Sequence, residues 1–137
     1  MIYKATLGGK YSIDDFIDKV ELRLDHDLIL PAEVYKLDWN TVIIETKLQF
    51  PLGQAVSMGG YPVGSIGGKS FRLLEVSITN YPVFDESLIT EIIYHDNDDT
   101  VKPTIEAILD GSYLDTINES EKYELMVIEQ PKLNKGE

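Results

Sequence analysis

The sequence predicts a single α+β domain with a mostly antiparallel sheet, two main helices and a long glycine-rich apolar loop or hairpin at residues 51–68. Three observations lead to this class. Apolar residues alternate with period two in several segments, helical spacing occurs in two others, and no linker-like change in composition divides the 137 residues. We expect the domain to cover residues 1–130, followed by a polar tail at residues 131–137.

The first helix is predicted between Ile13 and Leu24, after a short strand at residues 1–7. Ser12 is a favourable N-cap, and Asp15 follows it by three positions, as in a capping box. The apolar residues of this segment recur at the spacing of one helical face: Ile13, Phe16, Ile17, Val20 and Leu24. A helix with one buried face is therefore expected here.

Alternating residues predict most of the sheet. The clearest strand covers residues 41–50, and its apolar and polar residues alternate, which predicts a sheet with one solvated face. A turn at Trp39 and Asn40 is expected to join it to a strand at residues 34–37 in a hairpin. Further strands are predicted at residues 71–80 and 123–129. The apolar spacing of residues 87–95 suits a helix and their β-branched content suits a strand, and the strand is the favoured alternative.

Two details complete the predicted fold. In the strand at residues 71–80, alternation places Leu74, Val76 and Ile78 on the inner face. The second helix is predicted to begin near Pro103, and Gly111 is a candidate stop for it. Its apolar face would contain Ile105, Ile108, Leu109, Tyr113 and Ile117.

The net charge of −12 is unevenly distributed along the chain. Residues 85–137 hold fourteen acids and four bases, whereas residues 51–84 hold one acid and two bases. Such a field disfavours direct binding to nucleic acid or to an anionic membrane, and it is compatible with a basic protein partner. The chain has no cysteine, which excludes disulfides and thiolate chemistry, and no apolar run long enough to span a membrane. We therefore expect a cytoplasmic protein.

The motifs that resemble catalytic or ligand sites do not have the required spacing. Residues 64–70 resemble a phosphate-binding loop, but Val63 stands where that motif needs glycine, and a strand rather than a helix is predicted to follow. The acidic run at residues 95–99 does not place glycine and glutamate where a calcium loop needs them. His26 lies between two aspartates, which is typical of a solvated turn as well as of a metal site. We therefore assign no catalytic residue, metal or cofactor, and an enzyme is the less favoured class.

The glycine-rich segment at residues 51–68 is the most distinctive feature of the sequence. Its eighteen residues carry no charge, and they include six of the ten glycines. Two interpretations stay open: a structural hairpin that turns at Gly59 and Gly60, or a loop that becomes ordered on a partner. The apolar residues expected to make contact are Val56, Met58, Tyr61, Val63 and Ile66, with Trp39 as a further interface candidate beside its more ordinary role as a core anchor.

The leading functional hypothesis is a small, acidic, non-enzymatic interaction domain. It would be an assembly subunit or an inhibitor- or immunity-type binder, whose partner is another protein or a second copy. The residue usage is typical of an AT-rich genome, such as that of a low-GC bacterium or a phage. One alternative is a ligand-binding protein or enzyme that uses the glycine-rich segment as a lid, with Lys69 and Asp96 or Asp98 nearby. Another is a mimic of nucleic acid that displays the acids from Asp85 onward.

Overall fold

The computed structural model describes residues 1–64, 69–96 and 101–114, and the chain forms two compact units, Met1–Asp99 and Thr100–Glu137. The elements of the described residues are, in chain order, β1 (Ile2–Thr6), β2 (Ser12–Ile13), β3 (Glu21–Leu24), β4 (Leu28–Leu30), β5 (Ala32–Asp38), β6 (Thr41–Thr46), β7 (Val56–Val63), β8 (Ser70–Ile78), β9 (Leu88–Tyr94) and α1 (Ile105–Asp110). The first unit contains the strands and the second contains α1. The predicted strand at residues 123–129 and the predicted tail lie outside the described residues.

The strands form two sheets. The first has the order β5-β6-β1-β9 and is antiparallel throughout. In the second, β8 is the central strand: β7 pairs antiparallel with one of its edges, and β2 and β3 pair parallel with successive parts of the other. β4 then pairs antiparallel with β3 and forms the outer edge. The prediction of a mostly antiparallel sheet is confirmed.

The two sheets meet along one side and separate along the other. On the joined side, the Val56 N–H donates to the Ser87 carbonyl at 3.0 Å, and the Ile89 N–H donates to the Gln54 carbonyl at 2.9 Å. On the other side, the chain passes from β4 to β5 through Pro31. In the second sheet, β4 is one edge, and the part of β7 beyond Val56 is the other.

A single core fills the space between the sheets. It includes fully or almost fully buried residues of both sheets: Tyr3, Ala5, Val42, Ile44 and Ile89 from the first, and Leu22, Val56, Phe71, Leu73 and Val76 from the second. Ile43, on the opposite face of the first sheet, is also fully buried. The prediction of one solvated face for this strand is therefore wrong at Ile43.

The predicted helix between Ile13 and Leu24 is wrong. Ile13 pairs with Phe71, and the segment that ends at Leu24 pairs with the second half of β8 as β3. Val20 and Leu22 are buried and alternate like strand residues, whereas Ile17, which a helix would have buried, is 68% exposed. The open edge of β8 binds both ends of this segment, and these pairings replace its local helical preference.

The second predicted helix is present but short. Thr104 caps it by accepting the Ala107 N–H at 3.1 Å, and Gly111 ends it in a left-handed conformation with φ 83°. Gly111 was the candidate stop, and only a glycine adopts this φ without steric cost. No helix among the described residues is long and apolar enough to cross a membrane.

Candidate interaction site on strand β7

The structure distributes the predicted contact residues over different environments. Val56 is fully buried in the core and Met58 packs partly against it, so both face inward. Tyr61 is 48% exposed, and Val63 is half-buried on the same outer face of the second sheet. Ile66 lies outside the described residues.

Trp39 is 55% exposed but does not join these residues. Its carbonyl accepts the Ile13 N–H at 2.7 Å, and Ile13 pairs with Phe71 on the edge of β8 that is remote from β7. Because β2 and β8 lie between them, Trp39 and Tyr61 form two separate exposed sites rather than one.

The predicted turn at Gly59 and Gly60 is replaced by a continuous strand. Both glycines lie inside β7, opposite Glu75 and Leu73 of β8, with a one-residue register shift between them. The extra residue is Leu74, which is 49% exposed. This bulge inverts the alternation of β8, so that Leu73 faces the core where the sequence placed Leu74.

The two glycines allow β7 to lie close against its neighbours. A Cβ atom on Gly59 would lie 2.5 Å from Oε1 of Glu75, and one on Gly60 would overlap the Arg72 carbonyl and lie 2.8 Å from the Phe71 ring. A side chain at Gly60 would therefore push β7 away from β8, whereas one at Gly59 would displace the Glu75 side chain. The glycines of this segment therefore serve close strand packing rather than the flexibility of a loop.

Part of β7 has an edge with no strand beside it. The Val56 N–H points away from β8 toward Ser87. In an antiparallel pair, the backbone groups of successive residues point alternately toward the partner strand and away from it. The backbone groups of Met58, Gly60 and Pro62 therefore also point away from β8. Within residues 1–64 and 69–96, no strand pairs with this side of residues 58–63. The exposed edge offers N–H and C=O groups at two positions and a carbonyl at Pro62, which has no N–H.

A buried carboxylate lies directly beneath this strand. The Glu75 side chain is only 8% exposed, and its Oε1 contacts Nδ1 of His26. Its Oε2 lies 3.3 Å from Nε of Arg23, close enough for an ion pair, yet Oε2 accepts no hydrogen bond in the described residues. Glu75 is therefore held by charge from the β3–β4 side and is covered by Gly59 from the β7 side.

The β3–β4 turn presents His26 to this carboxylate. Asp25 and His26 have φ values of 51° and 65°, and the Asp27 N–H donates to the Leu24 carbonyl at 3.1 Å. A positive φ costs a non-glycine residue about 1–2 kcal/mol, so other contacts must hold the turn. The His26 N–H donates to Oγ of Ser77 at 2.5 Å, which supplies one such contact.

Arg23 connects the cluster to its own strand and to the turn. Nη2 of Arg23 donates to Oε1 of Glu21 at 2.6 Å, and Nη1 donates to the His26 carbonyl at 3.2 Å. The hydrogen bond to Glu21 is the main reason that the pKa of Arg23 is raised above its usual value. The Ser77 hydroxyl accepts from the His26 N–H and donates to the Arg23 carbonyl at 3.3 Å, so it joins the turn to β3. These contacts fit a structural role.

This cluster was missed by sequence reasoning. Glu75 and Ser77 alternate with buried apolar residues, which is the ordinary pattern of a solvated strand face. Their burial depends on a turn fifty residues earlier in the chain folding across that face, as the separation of 49 positions between His26 and Glu75 shows. The sequence signal for it is limited to the Asp-His-Asp turn.

The described residues provide little that fits the enzyme or metal alternatives. They contain no group of three or more His, Cys, Asp or Glu side chains arranged to hold a metal ion. Two surface grooves have volumes of about 560 and 570 Å³ and are open to solvent. Lys69 bonds to Ser12 through its carbonyl, whereas Asp96 binds the amino group of Met1 at 2.5 Å, so different elements hold the two residues named for a lid-covered site. Asp98 lies outside the described residues.

Comparisons with known proteins identify no relative of this chain. No family model matches it, and searches of the curated proteins and of the solved structures found no match. Function can therefore be inferred only from the residues and contacts of the chain itself, among which the unpaired edge of β7 is the feature that most clearly offers binding groups.

Proposed function

We propose that this chain is a non-enzymatic interaction domain that binds an extended protein segment along the exposed edge of β7. The observation that supports the proposal is the row of outward backbone groups at Met58, Gly60 and Pro62, on a strand with no charged residue. An added strand would bond to these groups, as in β-augmentation. Tyr61, 48% exposed on the neighbouring face, would add side-chain contact.

The function proposed here is the protein interaction already predicted from the sequence, but the way in which residues 56–63 bind is different. Residues 56–63 would bind as a preformed strand rather than as a loop that orders on contact. Less ordering entropy is then lost on binding, because β7 is already fixed by β8 along its whole length. The lid hypothesis loses support for the same reason, since a strand paired with β8 is not a movable cover.

The acidic half of the chain has a different role in this proposal. Residues 85–137 have a net charge of −10, which would speed encounter with a basic partner surface. Sequence-specific pairing would then occur at β7, where charge is absent. An assembly subunit and an inhibitor-type binder are both compatible with this division.

The test uses two substitutions at one position. Met58→Pro removes the outward N–H and leaves the β8 ladder intact, because proline is tolerated where the strand N–H faces solvent. Met58→Ala removes the same side chain and keeps the N–H, so it is the matched control. Each variant and the unaltered chain would be immobilised and exposed to an extract of the source cells, and the retained proteins quantified by mass spectrometry.

We expect at least one protein to be retained by the unaltered chain and by Met58→Ala but to be reduced about tenfold or more by Met58→Pro. Thermal unfolding of all three proteins would show that Met58→Pro is folded. If the same proteins are retained equally by all three, the edge of β7 is not the binding site and the proposal is wrong.

A further inference from the structure

The absence of charge at residues 51–68 affects which molecules can approach β7 closely. Two copies of a chain of net charge −12 repel each other overall, and this repulsion is weakest where stretches without acids meet. Residues 51–68 are such a stretch, because they contain no acid and are followed by Lys69 and Arg72. The exposed edge of β7 is therefore a place where two copies can come together without facing acids against acids.

We propose that the segment accepted by β7 is β7 of a second copy, paired antiparallel with Gly60 on the two-fold axis; this inference rests on the proposed function. The outward groups lie at Met58, Gly60 and Pro62, which are symmetric about Gly60. The Met58 N–H then donates to the Pro62 carbonyl of the second copy, and the Gly60 N–H donates to the Gly60 carbonyl. The axis repeats both bonds.

Pro62 is consistent with this register. Proline has a backbone carbonyl but no N–H, and in the symmetric pairing the Pro62 carbonyl only has to accept the Met58 N–H of the second copy. The missing N–H leaves one Met58 carbonyl in each copy bound to water at the rim of the pair. Pro62 also ends the ladder on one side, and Ser87 already occupies the edge at Val56 on the other. The pairing is thus limited to a short central stretch and is expected to be reversible.

The side chains of the same register fit together. Tyr61 lies opposite Gly59 of the second copy, in a pair that makes no backbone hydrogen bonds and so brings its Cα atoms closest. Gly59 has no side chain, which leaves room for the exposed Tyr61 ring to lie across the strand. The bulk of Tyr61 and the absence of a side chain at Gly59 are complementary on both sides of the axis.

Salt distinguishes a second copy from a basic partner. Repulsion between two copies of charge −12 is screened by salt, so the affinity for self should rise with ionic strength. Attraction between this acidic chain and a basic partner would instead weaken under the same conditions. The sign of the salt effect therefore identifies the kind of occupant.

The experiment measures the mass of the full chain by sedimentation equilibrium over a concentration series at low and high salt. We expect a reversible dimer for the unaltered chain and for Met58→Ala, strengthened by salt. Met58→Pro should be about tenfold weaker or more, because one hydrogen bond is lost in each copy. A dimer that Met58→Pro does not weaken would overturn this inference, because the two copies would then pair elsewhere; the proposed function is decided by the retention experiment.

The register is tested separately with a spin label. The chain has no cysteine, so Val63→Cys gives a single attachment site. With Gly60 on the axis, the two residues at position 63 are offset by six strand positions, which places their Cα atoms about 20 Å apart at ~3.3 Å per residue. A clearly different distance in the dimer would show that this register is wrong.

A chain that stays monomeric at every salt and concentration would overturn the inference about a second copy. The proposed function would not fall with it, because the retention of a different protein by the unaltered chain and by Met58→Ala, but not by Met58→Pro, is measured independently. The failure of self-pairing and the failure of β7 as a binding edge therefore give different results.

Discussion

The two exposed edges of the second sheet are built differently. β4 has three residues and β7 has eight. β4 is preceded by Asp25 and Asp27 and followed at once by Pro31, so charge and a missing donor limit the approach of another strand at both ends. No residue from Pro51 to the end of β7 carries a charge. Within β7, only Pro62 lacks a backbone N–H and so limits pairing with another strand.

This difference is the reason that we propose β7, rather than β4, as the binding edge. The apolar side chains are at least as exposed on β4, where Ile29 is 56% exposed, as on β7, where Tyr61 is 48% exposed. Exposure of apolar side chains therefore does not separate the two edges. Strand length and flanking charge separate the two edges, because they determine whether another strand can pair with the backbone groups over several residues.

The edges also differ in what holds them. The segment before β7 is anchored by Tyr3, whose hydroxyl donates to the Leu48 carbonyl at 2.9 Å and accepts the Phe50 N–H at 2.8 Å. The segment before β4 is a turn with positive φ, held by the contact of His26 with Glu75. β7 is thus fixed through the core, and β4 through a partly exposed polar cluster.

The largest expected effect comes from the close packing of β7. Gly60→Ala should lower the free energy of unfolding by about 3 kcal/mol, because the new Cβ overlaps the Arg72 carbonyl and the Phe71 ring. Gly53→Ala is the control: Gly53 has φ 86° but no atom within 4 Å of a built Cβ, so strain alone should cost about 1 kcal/mol. Urea unfolding measures both. Equal losses would show that β7 is not tightly packed on β8.

The second prediction concerns the anchor of β7. Tyr3→Phe leaves the Leu48 carbonyl and the Phe50 N–H without their partner, which should cost about 1–3 kcal/mol of stability. Tyr81→Phe, at a tyrosine that is 87% exposed, should cost almost nothing. If the two variants unfold at the same urea concentration, the Tyr3 hydroxyl does not anchor this segment.

The same anchor should make stability depend on alkaline pH. Burial raises the pKa of Tyr3 above its ordinary value, and the hydrogen bond from Phe50 opposes this effect only in part. The stability that Tyr3 contributes is therefore complete below the unfolded-state pKa of about 10 and is lost as pH rises through the folded-state value. Urea unfolding at a series of alkaline pH values should show a steeper loss for the unaltered chain than for Tyr3→Phe. Parallel curves would contradict this.

A smaller effect is expected at the anchor of β4. His26→Ala removes the contact with Glu75 and should cost about 1–2 kcal/mol, since His26 is partly exposed. Amide hydrogen exchange should become faster in β4 and stay unchanged in the centre of β7, because only β4 follows this turn. The double variant His26→Ala/Glu75→Gln should cost less than the sum of the two single changes. Additive losses, or faster exchange in β7, would show that the cluster does not hold β4 alone.

Elements whose local pattern agrees with their tertiary pairing could be predicted from the sequence. The hairpin through Trp39 and Asn40 and the strand at residues 71–80 show alternation and pair antiparallel with neighbours. Residues 87–95, whose spacing also suits a helix, form a strand that pairs antiparallel with β1. The helix predicted from Ile13 failed for the opposite reason. Its capping and apolar spacing are local, whereas its pairing with β8 depends on residues about sixty positions away.

The candidate site was predictable in position but not in form. An uncharged stretch at residues 51–68 within an acidic chain is visible in the sequence, and it includes β7. Alternation at Val56 and Met58 is interrupted by Gly59 and Gly60, so the strand pattern is lost just where the backbone lies closest to β8. The bulge at Leu74 and the burial of Glu75 depend on contacts between distant segments, for which a single sequence has no direct signal.

The last prediction changes the two edges without changing the fold. Tyr61→Glu and Ile29→Glu each place one acid on a side chain about half exposed, so each should alter stability by about 0.5 kcal/mol or less. Association should differ. Tyr61→Glu adds an acid to an edge strand that has no charged residue in it or before it back to Pro51, and it should abolish dimerisation. Ile29→Glu adds an acid to an edge that Asp25 and Asp27 already flank. Leu74→Glu, with nearly the same exposure as Tyr61 but on the neighbouring strand, is a further control.

Sedimentation equilibrium of the three variants would show whether dimerisation depends on β7, on β4 or on the net charge of the chain. Loss of the dimer in Tyr61→Glu alone supports pairing through β7. Loss in Ile29→Glu alone would mean that β4 is the binding edge in spite of its length, and that flanking charge does not protect a short strand in this protein. Loss in all three would mean that net charge, rather than any one edge, controls association.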